Sequence, residues 1–570
     1  MPRPPAGPPP AAPPTLVMAR EGRGGPGGEP TDILATGRPV DTPPFLVYAP
    51  AVVPAVAMLP WLFACAPSAP APRAGAPVSA SKAEPLDDAA TLTRLDLDLL
   101  GRRPTPAALV AADGAAVAAA RAAALDDPDL ARRAAWLWND TLHLAAWRDD
   151  LARLSVLNDA TMRGLAWEPL AGIEAIVAED RPFTDVLTSA DWPEGEVTAA
   201  LWDLPYTGTG GSWGWTRYAD GRPLSGILST NGLWMRYQAD QTNFHRRRAN
   251  MLTRVFLCAD FFDRDVDIGF DAAIGGADIE DAVKQEPACA NCHSGLDPLA
   301  GFLGGFSERS EPADLASAGR YSPWLATYAA ARSPPAYFGN PGLTVTDLGR
   351  FIAADPRFPR CVVRRAYEGL TGASFDAAPE REALVHGFLD GGQRWDTLVV
   401  AVTETEAWAD PALRRQSADQ RITAVSDALG LPRGPTGAWS GLDDALLDGE
   451  LRVMGGDTDD VNVLLRASAP SPADVLYAEW IAQTAVPEAL TLDAARAPAD
   501  RLLLPPHDET DEPNVRAQLA TLYARFTGLL VAADGPEVDR LYTLWGAADA
   551  DARWEEVVEA LARHPRGALR

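Results

Sequence analysis

Five consecutive residues, Cys289-Ala290-Asn291-Cys292-His293, combine two cysteines three positions apart with a histidine directly after them. Two thiols at this spacing can each form a thioether with a vinyl group of one porphyrin, and the histidine then ligates the iron. Cysteine and histidine are scarce, with five and six copies in 570 residues, so chance explains the arrangement poorly. The motif predicts one covalent haem c, held by Cys289, Cys292 and His293.

Two other kinds of site also use a Cys-x-x-Cys pair, and both stay open at this point. Structural zinc needs four protein ligands, whereas each of the other cysteines, Cys65, Cys258 and Cys361, stands alone in the sequence. A redox pair or a local disulfide at this spacing is typical of a βαβ unit and gives no role to the adjacent histidine.

The second axial ligand decides whether a haem iron carries electrons or reacts with small molecules. The only methionine after the motif is the distant Met454, so the candidates lie before it: Met251, Met235 and His245. Met251 is the predicted metal ligand beside His293, and an open or water-bound iron that admits peroxide is the alternative. Methionine ligation would raise the reduction potential.

Asp297 and Pro298 follow the motif closely. Proline lacks an amide donor and disfavours helical geometry in the residue before it, which predicts that the short helix carrying His293 ends at Asp297. We expect a backbone carbonyl, such as that of Pro298, to accept the N–H of the His293 ring and orient it.

The chain is long and acidic, with 47% hydrophobic residues and a formal net charge of −28. Nucleic-acid binding requires clustered basic residues that neutralise phosphates, so this charge argues against a nucleic-acid partner. It favours a cationic redox partner protein, although an acidic surface also serves solubility alone.

The N-terminal region has the composition of an export segment. Residues 1–44 are rich in proline and glycine, which predicts a disordered leader or an untranslated stretch before the true start. Residues 45–65 are apolar, contain three prolines and end in Leu-Phe-Ala-Cys, like a bacterial lipoprotein signal with lipidation at Cys65. A buried or interfacial apolar segment is the alternative. Export agrees with haem attachment outside the cytoplasm and predicts a periplasmic or outer-membrane-associated lipoprotein that contacts the membrane through its anchor.

From residue 87 onward the pattern is mainly helical. Alanine and leucine dominate residues 106–125, and residues 127–148 repeat apolar side chains at helical spacing. Residues 206–232 are rich in glycine and tryptophan and predict an irregular loop before a helix near Leu233. The predicted fold class is mainly α, a multidomain helical protein with this irregular segment and a small cytochrome c-like haem region.

A weak internal repeat relates residues 367–372 to residues 523–528, each with a tryptophan about 30 positions later. Coincident helix patterns are the alternative explanation. The predicted organisation is a leader (1–44), a signal-like segment (45–65), a linker (66–86), an N-terminal helical domain (87–200), a haem c domain (201–330), a helical domain (331–425) and a C-terminal helical domain (426–570) with a weak repeat of residues 360–408.

Residues 244–256 and 287–306 resemble the planctomycete cytochrome-type family of exported bacterial proteins. In that family a basic helix precedes a Cys-x-x-Cys-His motif, which an Asp-Pro-Leu sequence and a glycine-aromatic stretch follow. Asp297-Pro298-Leu299 matches this trailer. The resemblance implies haem c, export and flanking helical domains; residues 304–308 depart from the family pattern, and the further haem motifs of many relatives are missing.

These patterns together predict an exported haem c protein that works in electron transfer or another haem-dependent redox reaction at the cell envelope. An electron carrier is favoured over an enzyme, with a haem peroxidase as a further alternative. An envelope scaffold or binding protein, in which the haem is structural or absent, is the second reading. Cys258 and Cys361 form a candidate disulfide in an oxidising compartment, tying the helix before the motif to one after it.

Overall fold

Helices dominate the computed structural model, as the abundance of alanine and leucine predicts, and the mainly α fold class is confirmed. The structure describes residues 86–145, 159–209, 212–239, 244–261, 287–306, 320–431, 442, 449–458, 463, 466–467, 469–504 and 511–569. The predicted leader, the signal-like segment with Cys65, and all but the last residue of the linker lie outside these residues. Within the described ranges, no helix has both the length and the apolar character needed to cross a membrane.

The first helices begin at residues whose side chains cap the free backbone amides. Asp87 accepts a hydrogen bond from the amide of Ala90 at 2.7 Å, and Asp113 does the same for Ala116 at 2.7 Å. Asp113 therefore divides residues 106–125, which the sequence predicted as one helical stretch, into two helices. The elements are α1 (Asp88–Leu99), α2 (Pro106–Val110), α3 (Gly114–Leu125) and α4 (Pro128–Leu142).

The middle of the chain adds short strands to the helices. Strand β1 pairs antiparallel with β2, so that Trp192 lies opposite Thr216. The glycine- and tryptophan-rich stretch contains β2 and a 3₁₀ turn at Gly226–Ser229, and a helix does include Leu233. The elements are α5 (Asp159–Ala178), α6 (Asp185–Thr188), β1 (Trp192–Glu194), α7 (Glu196–Trp202), β2 (Gly214–Thr216), α8 (Asn231–Arg236), α9 (Arg246–Phe256), α10 (Pro287–Gly301) and α11 (Pro323–Arg332).

The remainder of the chain is helical apart from a short antiparallel hairpin, β3 with β4. Its elements are β3 (Ala336–Tyr337), β4 (Asn340–Pro341), α12 (Val345–Ala354), α13 (Arg357–Thr371), α14 (Arg381–Asp390), α15 (Trp395–Thr403), α16 (Glu406–Ala409), α17 (Ala418–Leu429), α18 (Gly449–Met454), α19 (Ala473–Ala495), α20 (Glu512–Thr527), α21 (Pro536–Ala547) and α22 (Arg553–Ala562).

The two segments of the weak repeat end their helices in the same way. The hydroxyl of Thr371 donates to the carbonyl of Tyr367 at 2.7 Å, and the hydroxyl of Thr527 donates to that of Tyr523 at 2.7 Å. A glycine with positive φ follows each threonine, at 68° and 72°, and terminates the helix in the left-handed conformation that glycine tolerates. Helices α14 and α15 follow the first cap, and helices α21 and α22 follow the second.

One hydrophobic core runs through the described helices from Leu95 to Ala562. Helix α4 packs against α13, α1 against α17 and α2 against α20, so contacts cross the predicted boundaries near residues 200 and 425. The division into three helical domains and a haem c domain stays a prediction.

Candidate haem centre

Helix α10 carries the whole Cys-x-x-Cys-His motif. Cys289 lies in its first turn, and the placement of its side chain is outside the described part of the structure. Cys292 is half-buried against the hydrophobic core, and its Sγ lies 3.6 Å from the carbonyl oxygen of Phe261. Its thiol is not in a disulfide. A free thiol beside the histidine is what thioether formation to a porphyrin requires.

The predicted end of this helix at Asp297 is wrong, because α10 continues through Pro298 to Gly301. An interior proline costs about 3 kcal/mol, since it removes one backbone hydrogen bond and crowds the preceding turn. Leu296 and Leu299 are 7% and 3% exposed, and burying such side chains contributes roughly 1.5–3 kcal/mol each. Packing of this face against the core therefore offsets the proline.

The continued helix places the carboxylate of Asp297 one turn after His293. The two side chains meet at 3.0 Å between Nδ1 of His293 and Oδ1 of Asp297. An ionised carboxylate only accepts hydrogen bonds, so Nδ1 carries the proton and Nε2 presents its lone pair. Nε2 makes no hydrogen bond to any described residue. The expected carbonyl partner at Pro298 is thus replaced by the side chain of Asp297.

Arg246, the first residue of α9, holds the same carboxylate from the other side. Its Nε donates to Oδ1 of Asp297 at 2.6 Å and its second terminal nitrogen donates to Oδ2 at 3.1 Å. Burial raises the pKa of Asp297, but the hydrogen bonds from Arg246 and His293 outweigh it and leave this pKa below its ordinary value. Asp297 is therefore a carboxylate when it meets the imidazole.

The candidate second axial ligands all lie in the core. Met251, on α9, is 2% exposed, and Met235, on α8, is 1% exposed. His245 directly precedes α9, and its Nδ1 lies 3.0 Å from the guanidinium of Arg248. Arginine only donates, so this Nδ1 accepts and Nε2 of His245 carries the proton. Burial lowers the pKa of His245 to about 3, which keeps the ring neutral.

The described residues contain no group of three or more His, Cys, Asp or Glu side chains that could hold a metal ion by themselves. A c-type haem fits the residues present, since a histidine with a free Nε2 and an anchored Nδ1 directly follows a free, half-buried thiol.

Cys258 and Cys361 are joined in a disulfide bond, with 2.03 Å between the two sulfur atoms. Cys258 follows the end of α9, and Cys361 lies in α13. The bond therefore ties the helix that carries Arg246 to a helix beyond the motif.

A second polar cluster, formed by Glu168, Glu194 and Tyr218, was missed by the sequence reasoning. Both carboxyl groups are fully buried, and the phenol oxygen of Tyr218 is hydrogen-bonded to Glu168 and lies 2.8 Å from Glu194. Burial and the charge of Glu168 raise the pKa of Glu194 well above its ordinary value. The three residues come from α5, β1 and the loop after β2, and no local pattern brings them together.

The backbone amides of Asn231 and Gly232 donate to the two oxygens of Glu168 at 3.0 and 2.7 Å. Glu194, whose pKa is raised by burial, keeps its proton in the folded protein. A cavity of about 200 Å³ lies beside Tyr218 and Asn231. The Glu194 oxygen that lacks a hydrogen-bond partner is inaccessible to solvent.

Comparisons with protein-family models, with curated proteins and with solved structures found no match. The family resemblance therefore stays a prediction that rests on residues 244–256 and 287–306.

Proposed function

We propose that this protein binds one covalent haem c through Cys289, Cys292 and His293 and transfers electrons at the bacterial cell envelope. Each cysteine thiol adds across one vinyl double bond, so that a carbon–sulfur bond forms and the hydrogen goes to the neighbouring vinyl carbon. When bound, the haem supplies a one-electron iron couple. The side chains of the protein would bind the haem and orient its iron ligand.

One observation carries the proposal: His293 stands in the motif with Nδ1 held by Asp297 at 3.0 Å. Metal-ligating histidines almost always donate their other ring N–H to a carboxylate, a carbonyl or water, which fixes the tautomer and the ring orientation. A histidine with only a packing role would have no need of a carboxylate that a second helix holds with a bidentate arginine.

Two further features support an envelope location. The Cys258–Cys361 disulfide belongs to an oxidising compartment, such as the bacterial periplasm. The predicted lipidation at Cys65 would tether the chain to a membrane, and the net charge of −28 suits a cationic redox partner.

Met251 is the proposed second axial ligand. It lies on α9, the helix that packs against α10. His245 is disfavoured because its Nδ1 accepts from Arg248, so its Nε2 carries the proton and has no lone pair for the iron. The thioether of Met251 would favour reduced iron and raise the reduction potential, which is typical of an electron carrier.

Expression with a cytochrome c maturation system tests the proposal. The wild-type chain should keep its haem through a denaturing gel and give a c-type pyridine haemochrome spectrum. Cys289→Ala with Cys292→Ala should lose the haem stain entirely. Cys258→Ala with Cys361→Ala removes two cysteines elsewhere and should retain it. A colourless wild-type protein would overturn the proposal.

The Asp297–His293 contact also favours a second function, a haem peroxidase. A carboxylate behind the proximal histidine makes the imidazole a stronger donor, and a strong proximal donor promotes cleavage of the O–O bond. Such an enzyme would reduce hydrogen peroxide to two waters with two electrons from an external donor and two protons. Peroxide turnover by the wild-type protein that Met251→Ala leaves unchanged would favour this function over electron transfer.

A further inference from the structure

We infer that Asp297 and Arg246 together set the reduction potential of an iron bound to His293, and that they act with opposite signs. The inference rests on the proposed function, because it concerns the iron that the motif would hold. Neither residue belongs to the Cys-x-x-Cys-His motif, and Arg246 lies on a different helix.

The three side chains form a relay that ends at the proposed iron ligand. The same oxygen, Oδ1 of Asp297, accepts from Nδ1 of His293 at 3.0 Å and from Nε of Arg246 at 2.6 Å. Side-chain exposure along the relay is 26%, 25% and 24% for His293, Asp297 and Arg246. Water therefore screens these charges only in part, and the contacts stay electrostatically effective.

Asp297 acts through the imidazole. A hydrogen bond from Nδ1 to a carboxylate increases the basicity of the ligand, so Nε2 donates more strongly to the iron. A stronger donor stabilises the ferric state, which carries one more positive charge than the ferrous state. Asp297 therefore lowers the reduction potential, and an uncharged replacement should raise it.

Arg246 opposes the effect of Asp297 because Arg246 and His293 contact the same oxygen, Oδ1 of Asp297. Its guanidinium draws electron density from the oxygen that His293 contacts and neutralises the carboxylate charge through a bidentate ion pair. The imidazole then donates less strongly, and the ferrous state is favoured. Arg246 therefore raises the potential, and its loss should lower it.

The backbone keeps the relay in place independently of the two charges. The hydroxyl of Ser333, which follows α11, donates to the backbone carbonyl of Asp297 at 2.8 Å. Asp297 is thus held by its main chain as well as its side chain, and the substitution of Arg246 should change the charge on the relay without moving the helix.

Potentiometric titration of the haem-loaded protein tests the opposite signs. At the wild-type midpoint, Asp297→Asn should raise the ferrous-to-ferric ratio about tenfold, which corresponds to about 59 mV for a one-electron couple. Arg246→Gln should shift the ratio in the other direction. Arg247→Gln is the matched control: it removes the same charge from the next residue, whose side chain is exposed, and should shift the midpoint much less. Equal shifts for the two arginines, or no shift for Asp297→Asn, would overturn the inference.

A haem-free measurement separates this inference from the proposed function. In the Cys289→Ser, Cys292→Ser chain, ¹⁵N NMR should find the ring proton of His293 on Nδ1, and Asp297→Ala should abolish that preference. A proton on Nε2 in the parent chain would overturn the inference whether or not haem binds. A wild-type chain that takes up no haem would overturn the proposed function, and the tuning role with it, while unchanged midpoints in a haem-loaded chain would overturn the tuning role alone.

Discussion

The disulfide between Cys258 and Cys361 joins the segment that follows α9 to helix α13, with 5.4 Å between the Cα atoms. Cys258 follows α9, which carries Arg246 and Met251, and Cys361 is 1% exposed within α13. Helix α9 also packs directly against α10, the helix of the motif. The bond therefore restrains one wall of the candidate site.

Replacing both cysteines, Cys258→Ala with Cys361→Ala, should lower the free energy of unfolding by about 2–5 kcal/mol. The bond closes a loop with a sequence separation of 103 residues, and its loss enlarges the unfolded ensemble. Urea titration of both proteins measures the loss, and wild type under strong reductant should approach the variant. Free thiols at both positions in unreduced protein would contradict the assignment.

The buried pair of Glu168 and Glu194 predicts a stability that falls as pH rises. Because the pKa of Glu194 is raised in the folded protein, the folded state keeps a proton that the unfolded state loses above pH 4.5, its ordinary pKa. The unfolded state then binds fewer protons, so the free energy of unfolding drops by up to about 1.4 kcal/mol per pH unit. The decrease continues until the pH passes the raised pKa.

Glu194→Gln should flatten this slope between pH 5 and 8, because glutamine stays neutral in both states. Urea titrations at several pH values measure the slope. Part of the slope will remain in the variant because of Asp140, since burial raises the pKa of Asp140 to about 7. Glu196→Gln changes an exposed glutamate two residues away and should leave the slope unchanged. Equal slopes in wild type and Glu194→Gln would show that Glu194 is ionised in the folded protein.

The ion pair between Arg133 and Asp419 connects α4 to α17 at 2.7 Å, and both side chains are about 5% exposed. Arg133→Leu should destabilise the protein by about 3–5 kcal/mol, because it leaves a buried carboxylate without its main partner. Arg466, 3.6 Å from Asp419, replaces only part of that interaction. Arg133→Leu with Asp419→Leu should cost less than the single variant.

Urea titration of the two variants measures these costs. The exposed pair of Arg217 and Asp191, at 2.8 Å, is the control, and Arg217→Leu should cost less than about 1 kcal/mol. A similarly small cost for Arg133→Leu would mean that the contact between α4 and α17 does not depend on this pair.

The sequence was sufficient for features that depend on local composition and spacing. Alanine- and leucine-rich stretches predicted a mainly helical chain, because propensity summed over many residues is informative. It failed where packing outweighs a local rule, since Pro298 suggested a helix end that burial of Leu296 and Leu299 overrides.

The wrong helix end concealed the contact between His293 and Asp297, because residues four apart face each other only if the helix continues. The contact of Arg246 with Asp297 could not be predicted for another reason, because the two residues lie on separate helices. The same holds for the cluster of Glu168, Glu194 and Tyr218, whose members come from separate elements. Contacts across α9 and α10 or across α5 and β1 depend on tertiary packing, which no spacing within a single segment reveals.

Met251→Leu tests the second axial ligand in the haem-loaded protein. Leucine nearly preserves the volume of this 2% exposed side chain, so the change in the free energy of unfolding should stay below about 1.5 kcal/mol. Leucine has no thioether, so the weak long-wavelength ferric band of methionine-ligated iron should disappear and the reduction potential should fall. Met235→Leu alters another buried methionine, on α8, and should retain the band. A band that survives Met251→Leu would remove Met251 from the iron and assign another methionine, with Met235 as the next candidate, whereas a wild-type protein without the band would point to an open coordination position.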